Sequence, residues 1–143
     1  MQLLIVRFND YKLGIDTTNL LTVTRDCSVT PIPCSNKLIL GTMLYDNDTK
    51  GVINMNAWLD IHDGSPIVSY VICKQIVLPV NEVCGVINIQ QEDTIPANSF
   101  IDPKHEGLIT AILPYNGDLC FVINLKQLQE RLNKVEEDVQ LNG

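Results

Sequence analysis

The sequence is poor in basic residues: 10 Lys and Arg stand against 17 Asp and Glu, a formal net charge of −7. Nucleic-acid binding draws its affinity from cations that displace phosphate counterions, so this balance argues against a nucleic-acid partner. No polybasic segment is present to hold an anionic membrane surface. Long hydrophobic runs are absent as well. The opening stretch Met1–Phe8 is far too short for a signal peptide, and nothing approaches the roughly 20 apolar residues that cross a bilayer. The expectation is a cytoplasmic protein without direct membrane insertion.

Ligand-forming and catalytic residues are also sparse. The five cysteines (Cys27, Cys34, Cys73, Cys84 and Cys120) are odd in number and scattered, which is not a disulfide framework. Cys73, Cys84 and Cys120 sit inside apolar runs, where a thiol behaves as a small hydrophobe. No C-x-x-C or H-x-x-x-H pair supplies zinc spacing, and no phosphate loop or dinucleotide fingerprint occurs. His62 and His105 lie among charged, loop-like neighbours, and no motif sets either beside a cysteine as nucleophilic catalysis would need. No catalytic residue, metal site or cofactor is assigned, and the expected class is a non-enzymatic binding module.

What is present is a duplicated pattern. At 143 residues, 45% hydrophobic and 19% charged, the chain is long enough to bury one core. Shifted by 63 positions, Leu3–Pro33 lies ungapped on Pro66–Pro96, and each copy closes on an Ile-Pro pair (Ile32-Pro33 and Ile95-Pro96). The second half of each unit matches at a shift of 70: Leu38-Ile39 falls on Leu108-Ile109, Tyr45 on Tyr115, and Val52-Ile53-Asn54 on Val122-Ile123-Asn124. A longer connection around Ala97–Gly107 absorbs the difference, which loop-closure entropy penalises only weakly. The repeats span roughly residues 3–58 and 66–125, within one domain of residues 1–135 whose units are free to exchange strands; residues 136–143 form a polar tail.

The runs are short, rich in Val, Ile, Leu and Thr, and bounded by Asn, Asp, Gly and Pro, which is strand chemistry. Five strands are expected per unit: Leu3–Asn9, Tyr11–Asp16, Leu21–Asp26, Gly41–Tyr45 and Lys50–Met55, then Ile67–Cys73, Gln75–Val80, Val83–Ile89, Leu108–Leu113 and Leu119–Asn124. Hairpin turns are expected at Tyr45–Asp48 and at Tyr115–Asp118, where Asn116-Gly117 is the stronger signal. Closing each unit into a small barrel would remove the exposed edges. The expected fold is mainly β, two tandem five-stranded barrels packed together with a C-terminal helix. Leu125, Leu128, Leu132 and Val135 recur at helical spacing, with Asn124 as N-cap and Gln127 as its capping-box partner. Trp58 either plugs the contact between the units or anchors a partner.

This order of motifs resembles the CheW-like domain, the coupling adaptor of bacterial chemotaxis arrays. Tyr11-Lys12-Leu13-Gly14-Ile15-Asp16 is similar to the family's opening phrase, Thr30-Pro31-Ile32-Pro33 to its T-x-v-P phrase, and Gly41–Met55 to its G-V-I-N-L-R-G-K-I-I-P-V-I-D-L segment. The resemblance covers about Leu3–Leu132 and implies an adaptor that couples a chemoreceptor to a CheA-type histidine kinase. It places partner-binding surfaces around Leu20, Thr22, Val83 and Val86, and along the hairpin segment from Gly41 through Asp46 to Val52. The departures fall in that segment. The family's arginine is Asp46, its next glycine Asn47, its proline Gly51 and its aspartate Asn54; the glutamate usual in the first apolar segment is Thr22, and a customary aspartate of the second unit is Asn81. An Arg-to-Asp exchange reverses a charge and removes a rigid donor fork. The alternatives are a small-ligand regulatory module and a divergent adaptor of a pilus-type system.

Overall fold

The computed structural model describes residues 1–32, 37–61, 64, 66–96 and 108–130. Among these residues eleven strands form two sheets. They are β1 (Gln2–Phe8), β2 (Tyr11–Asp16), β3 (Leu20–Thr24), β4 (Ile39–Tyr45), β5 (Asp48–Ile53), β6 (Ser69–Cys73), β7 (Ile76–Val80), β8 (Glu82–Asn88), β9 (Ile95–Pro96), β10 (Ile109–Tyr115) and β11 (Asp118–Ile123). Sheet one runs β8-β1-β2-β11-β10-β9 and sheet two runs β3-β6-β7-β5-β4. Each sheet therefore draws strands from both repeats. The joins are parallel pairings, β2 with β11 and β5 with β7, while the other pairs are antiparallel.

All ten expected strands are present, with ends displaced by a few residues, and the short β9 adds to them. The expectation of barrels needs correction, because among the described residues neither sheet closes by hydrogen bonding. In each case the chain after the third strand crosses to the far edge and pairs there only briefly. Ile95 and Pro96 meet Ile112 and Ala111 on β10, and Thr30 meets Thr42 on β4. Gly41 makes the second crossing fit, since a Cβ there would overlap the Thr30 carbonyl oxygen.

The repeat also needs a correction in its first strand. Leu13 and Ile76 hold equivalent places, beside Phe121 and Gly51 in the parallel pairings, and lie 63 positions apart. Leu4 and Val71 pair with Ile15 and Leu78, which also lie 63 apart, yet Leu4 and Val71 themselves are 67 apart. The β1–β2 hairpin is thus four residues longer than the β6–β7 hairpin. Four is even, so a shift of 63 kept every residue on its own face while misplacing the strand.

A helix follows each of β5 and β11. In α1 (Met55–Leu59) the Asn54 side chain accepts the Ala57 N–H at 3.3 Å, and Asp60 ends the helix in the left-handed region at φ 57°. Met55 belongs to this helix, not to the preceding strand as its expected bounds had it, and Trp58 lies in the same helix. In α2, helical from residue 125 to 130, Asn124 accepts the Gln127 N–H at 3.1 Å. The Asn124 N–H itself goes to the Leu108 carbonyl at 2.7 Å, so the cap does not take the reciprocal capping-box form. Leu132, Val135 and the polar tail lie outside the described residues.

The largest core cluster lies between the sheets. Sheet one contributes Leu4, Val6, Phe8, Leu13 and Ile15, sheet two Val71, Cys73, Ile76, Leu78 and Val80, and the helices Met55, Trp58, Leu125 and Leu128. Trp58 is 4% exposed and serves this contact. Two smaller clusters lie on the opposite faces, one on sheet one and one on sheet two. Burying each such side chain stabilises the fold by roughly 1.5–3 kcal/mol, which locks the two sheets together. Among the described residues no helix is long and apolar enough to cross a membrane.

Candidate interaction surface

Among the described residues, β8 is the free edge of sheet one and pairs only with β1. Val83 lies opposite Val6 and Val86 opposite Leu4, so both share the face that builds the main core. Beyond the reach of sheet two they stand in solvent, 39% and 53% exposed. The register skips Cys84, a bulge that turns this thiol towards the small cluster around Cys120 and leaves its neighbours outward. Arg7 Nε donates to Glu82 Oε2 at 3.0 Å at the start of the strand. An uncapped edge carrying exposed valines and a single charge is open to pairing with another chain.

The free edge of sheet two is β3, the equivalent strand of the other repeat. Leu20 is half-buried against the main core, Thr22 lies opposite Ile72, and the bulged Leu21 is 45% exposed. The third group of expected site residues divides. Asp46 is exposed at the β4–β5 hairpin tip at φ 48°, next to Asn47 at φ 66°. Val52 is fully buried in the cluster with Met43, Ile72 and Val77, and Gly41 is buried under Thr30. Both support the hairpin from beneath and present no side chain to a partner. Sequence reasoning missed Leu44, at 68% the most exposed large hydrophobic among the described residues, on the outer face of the same hairpin. Its signal was a leucine opposite Thr49 in a strand whose buried residues are Gly41 and Met43.

The thiols offer little nucleophilic chemistry. Burial pushes Cys73 and Cys120 up to about 12, the first despite nearby Lys50, and burial also raises Cys27 and Cys84. Cys34, His62 and His105 lie outside the described residues. Where the sheets meet α2, a cavity of about 740 Å³ opens, lined by Asp16, Cys73, Lys74, Ile76, Leu125 and Gln129 among others.

Comparison with known proteins agrees with this geometry. The fold is shared with the crystal structure of the scaffolding protein TtCheW from Thermoanaerobacter tengcongensis, at a TM-score of 0.76 and 18% sequence identity, over 86% of this chain and 88% of that one. No curated protein matches the sequence. The CheW-like domain family model, however, matches residues 2–132, nearly all of the duplicated pattern and both free edges. The chain belongs to the CheW-like domain family.

Proposed function

We propose that this chain is a non-enzymatic cytoplasmic adaptor that couples a chemoreceptor-type input to a CheA-type histidine kinase. The observation that carries the reading is the β8 edge, where Val83 and Val86 continue the core face into solvent on a strand with an unpaired side. Membership of the CheW-like family supports the kind of partner. The adaptor needs no reacting group, and its work is to hold two proteins at a fixed distance on a rigid two-sheet body. β8 and β3, the equivalent edges of the two repeats, give it two separate docking sides, with Val83 and Val86 on one and Leu20 and Thr22 on the other.

Calorimetric titration with the isolated regulatory domain of the CheA-type kinase from the same organism tests this. The expected result is saturable binding that the double change Val83→Asp and Val86→Asp abolishes while the melting temperature holds. Absence of binding by the unmodified chain would sink the reading. The 740 Å³ cavity favours one second reading, a small-ligand regulatory module, since ligand sites commonly fall between 300 and 1,000 Å³. A rise in melting temperature with a small metabolite, without any kinase binding, would select it.

A further inference from the structure

The cavity beside α2 opens at the turn of the shorter hairpin. Residues 7–12 lie between Val6 and Leu13, while only Lys74 and Gln75 lie between the equivalent Cys73 and Ile76. The longer hairpin carries Phe8, 1% exposed in the main core, and the shorter one has no counterpart to it. The short turn is nevertheless held on two sides. The Lys74 N–H donates to the Asn19 carbonyl at 2.9 Å, and the buried Lys50 ammonium donates to the Lys74 carbonyl. One wall of the cavity of about 740 Å³ is thus pinned to both halves of the chain.

The lining sorts into three kinds of group. Ile76, Ile123 and Leu125 continue the main core to the cavity and give it apolar surface. Lys74 and Lys126 bring two ammonium groups that pair with no carboxylate, and Glu130 brings a carboxylate that pairs with no cation. Glu130 stands one helical turn after Lys126, where a surface pair commonly forms, yet the two charges stay apart. The side-chain amides of Asn19 and Gln75 make no hydrogen bond among the described residues. None of Leu20, Thr22, Val83 and Val86 lines the cavity, so an occupant leaves both free edges open.

We propose that this cavity binds a short zwitterionic peptide of two or three residues with an aliphatic side chain. The aliphatic group packs on Ile76, Ile123 and Leu125. The carboxylate meets the lysine ammonium groups, the terminal ammonium meets Glu130, and the peptide groups meet Asn19 and Gln75. A fatty acid would leave Glu130 without a counter-charge, and an alkylamine would leave both lysines without one. The volume falls in the range that encloses most of a ligand of peptide size, and a single amino acid would fill only part of it. The site goes beyond the adaptor reading and holds whether or not the chain also binds a kinase.

Calorimetric titration and thermal melts with leucyl-leucine test the site, alongside leucine, N-acetyl-leucyl-leucine and leucyl-leucinamide. The dipeptide is expected to bind saturably and to raise the melting temperature, with each of the other three at least tenfold weaker. Lys74, Lys126 and Glu130 are exposed, so their glutamine variants are expected to melt as the unmodified chain does without ligand. Glu130→Gln is expected to erase the preference for the dipeptide over its N-acetyl form. The double change Lys74→Gln and Lys126→Gln is expected to erase the preference over the amide. The proposal is overturned by absence of dipeptide binding, by leucine binding as tightly, or by preferences that both variants leave unchanged. Kinase binding measured on the same preparation reports separately on the adaptor reading.

Discussion

At the scale of single residues, the account turns on a few positions where backbone or burial leaves little choice. The β4–β5 turn holds Asp46 and Asn47 at φ 48° and 66°, whereas the equivalent turn carries Asn116-Gly117 at 47° and 78°. Two-residue hairpins of this hand favour glycine second, so Asn47→Gly is expected to add about 0.5–1 kcal/mol, read as a shift in the urea midpoint. Asn81, 5% exposed, accepts the Asn9 N–H through Oδ1 and donates through Nδ2 to the Pro66 carbonyl. Its replacement by alanine leaves both backbone groups short of a partner and is expected to cost about 1–3 kcal/mol. The family's aspartate could not donate to Pro66, which gives the asparagine a physical reason here. The buried thiols set a pH dependence. Cys73 and Cys120 are pushed up from 9.0 to about 12, so on raising the pH the unfolded chain loses these protons first. Stability is expected to be intact below about pH 9 and to fall towards about pH 12, and Cys120→Ala should lessen the fall in unfolding free energy measured across that range.

At the scale of elements, the ten main strands were legible because their apolar residues alternate and their ends carry turn residues. Helix α1 was not, since five residues give less than two turns and Met55 continues the apolar run of β5. The crossing that covers β4 was equally hidden: it consists of one bridge, Thr30 to Thr42, held by N–H···O contacts of 2.7 and 2.9 Å in both directions. Gly41→Ala is expected to push this crossing off the strand, at a cost of about 1–3 kcal/mol and with faster amide exchange at Thr42. The hairpin lengths show why an aligned pattern can mislead. Periodicity of two is blind to an even slip, so Phe8 was set against Val71 although β1 extends past the point where β6 turns. Of the surface residues named from the resemblance, Val83, Val86 and Asp46 are exposed and Leu20 and Thr22 half-buried, while Gly41 and Val52 point inward. The period of a strand identifies two faces, and only the packing of sheet against sheet decides which one meets water.

At the scale of the whole molecule, each sheet is built from strands of both halves of the chain. Because β1 and β2 sit with β11 while β6 and β7 sit with β5, neither repeat completes a sheet without the other. Unfolding should therefore be a single cooperative transition, with coincident fluorescence of Trp58 and far-ultraviolet circular dichroism on a urea gradient. A rigid body with two equivalent edges, one partly packed at β3 and one open at β8, suits a part that holds other proteins in register. Coupling itself is the claim that matters most. The direct measurement is autophosphorylation of the CheA-type kinase in membranes bearing its chemoreceptor, with and without this chain. The account predicts that receptor control of the kinase appears only when the chain is added and disappears with Val83→Asp and Val86→Asp. Receptor control that is the same in its absence, or that survives the double substitution, would contradict it.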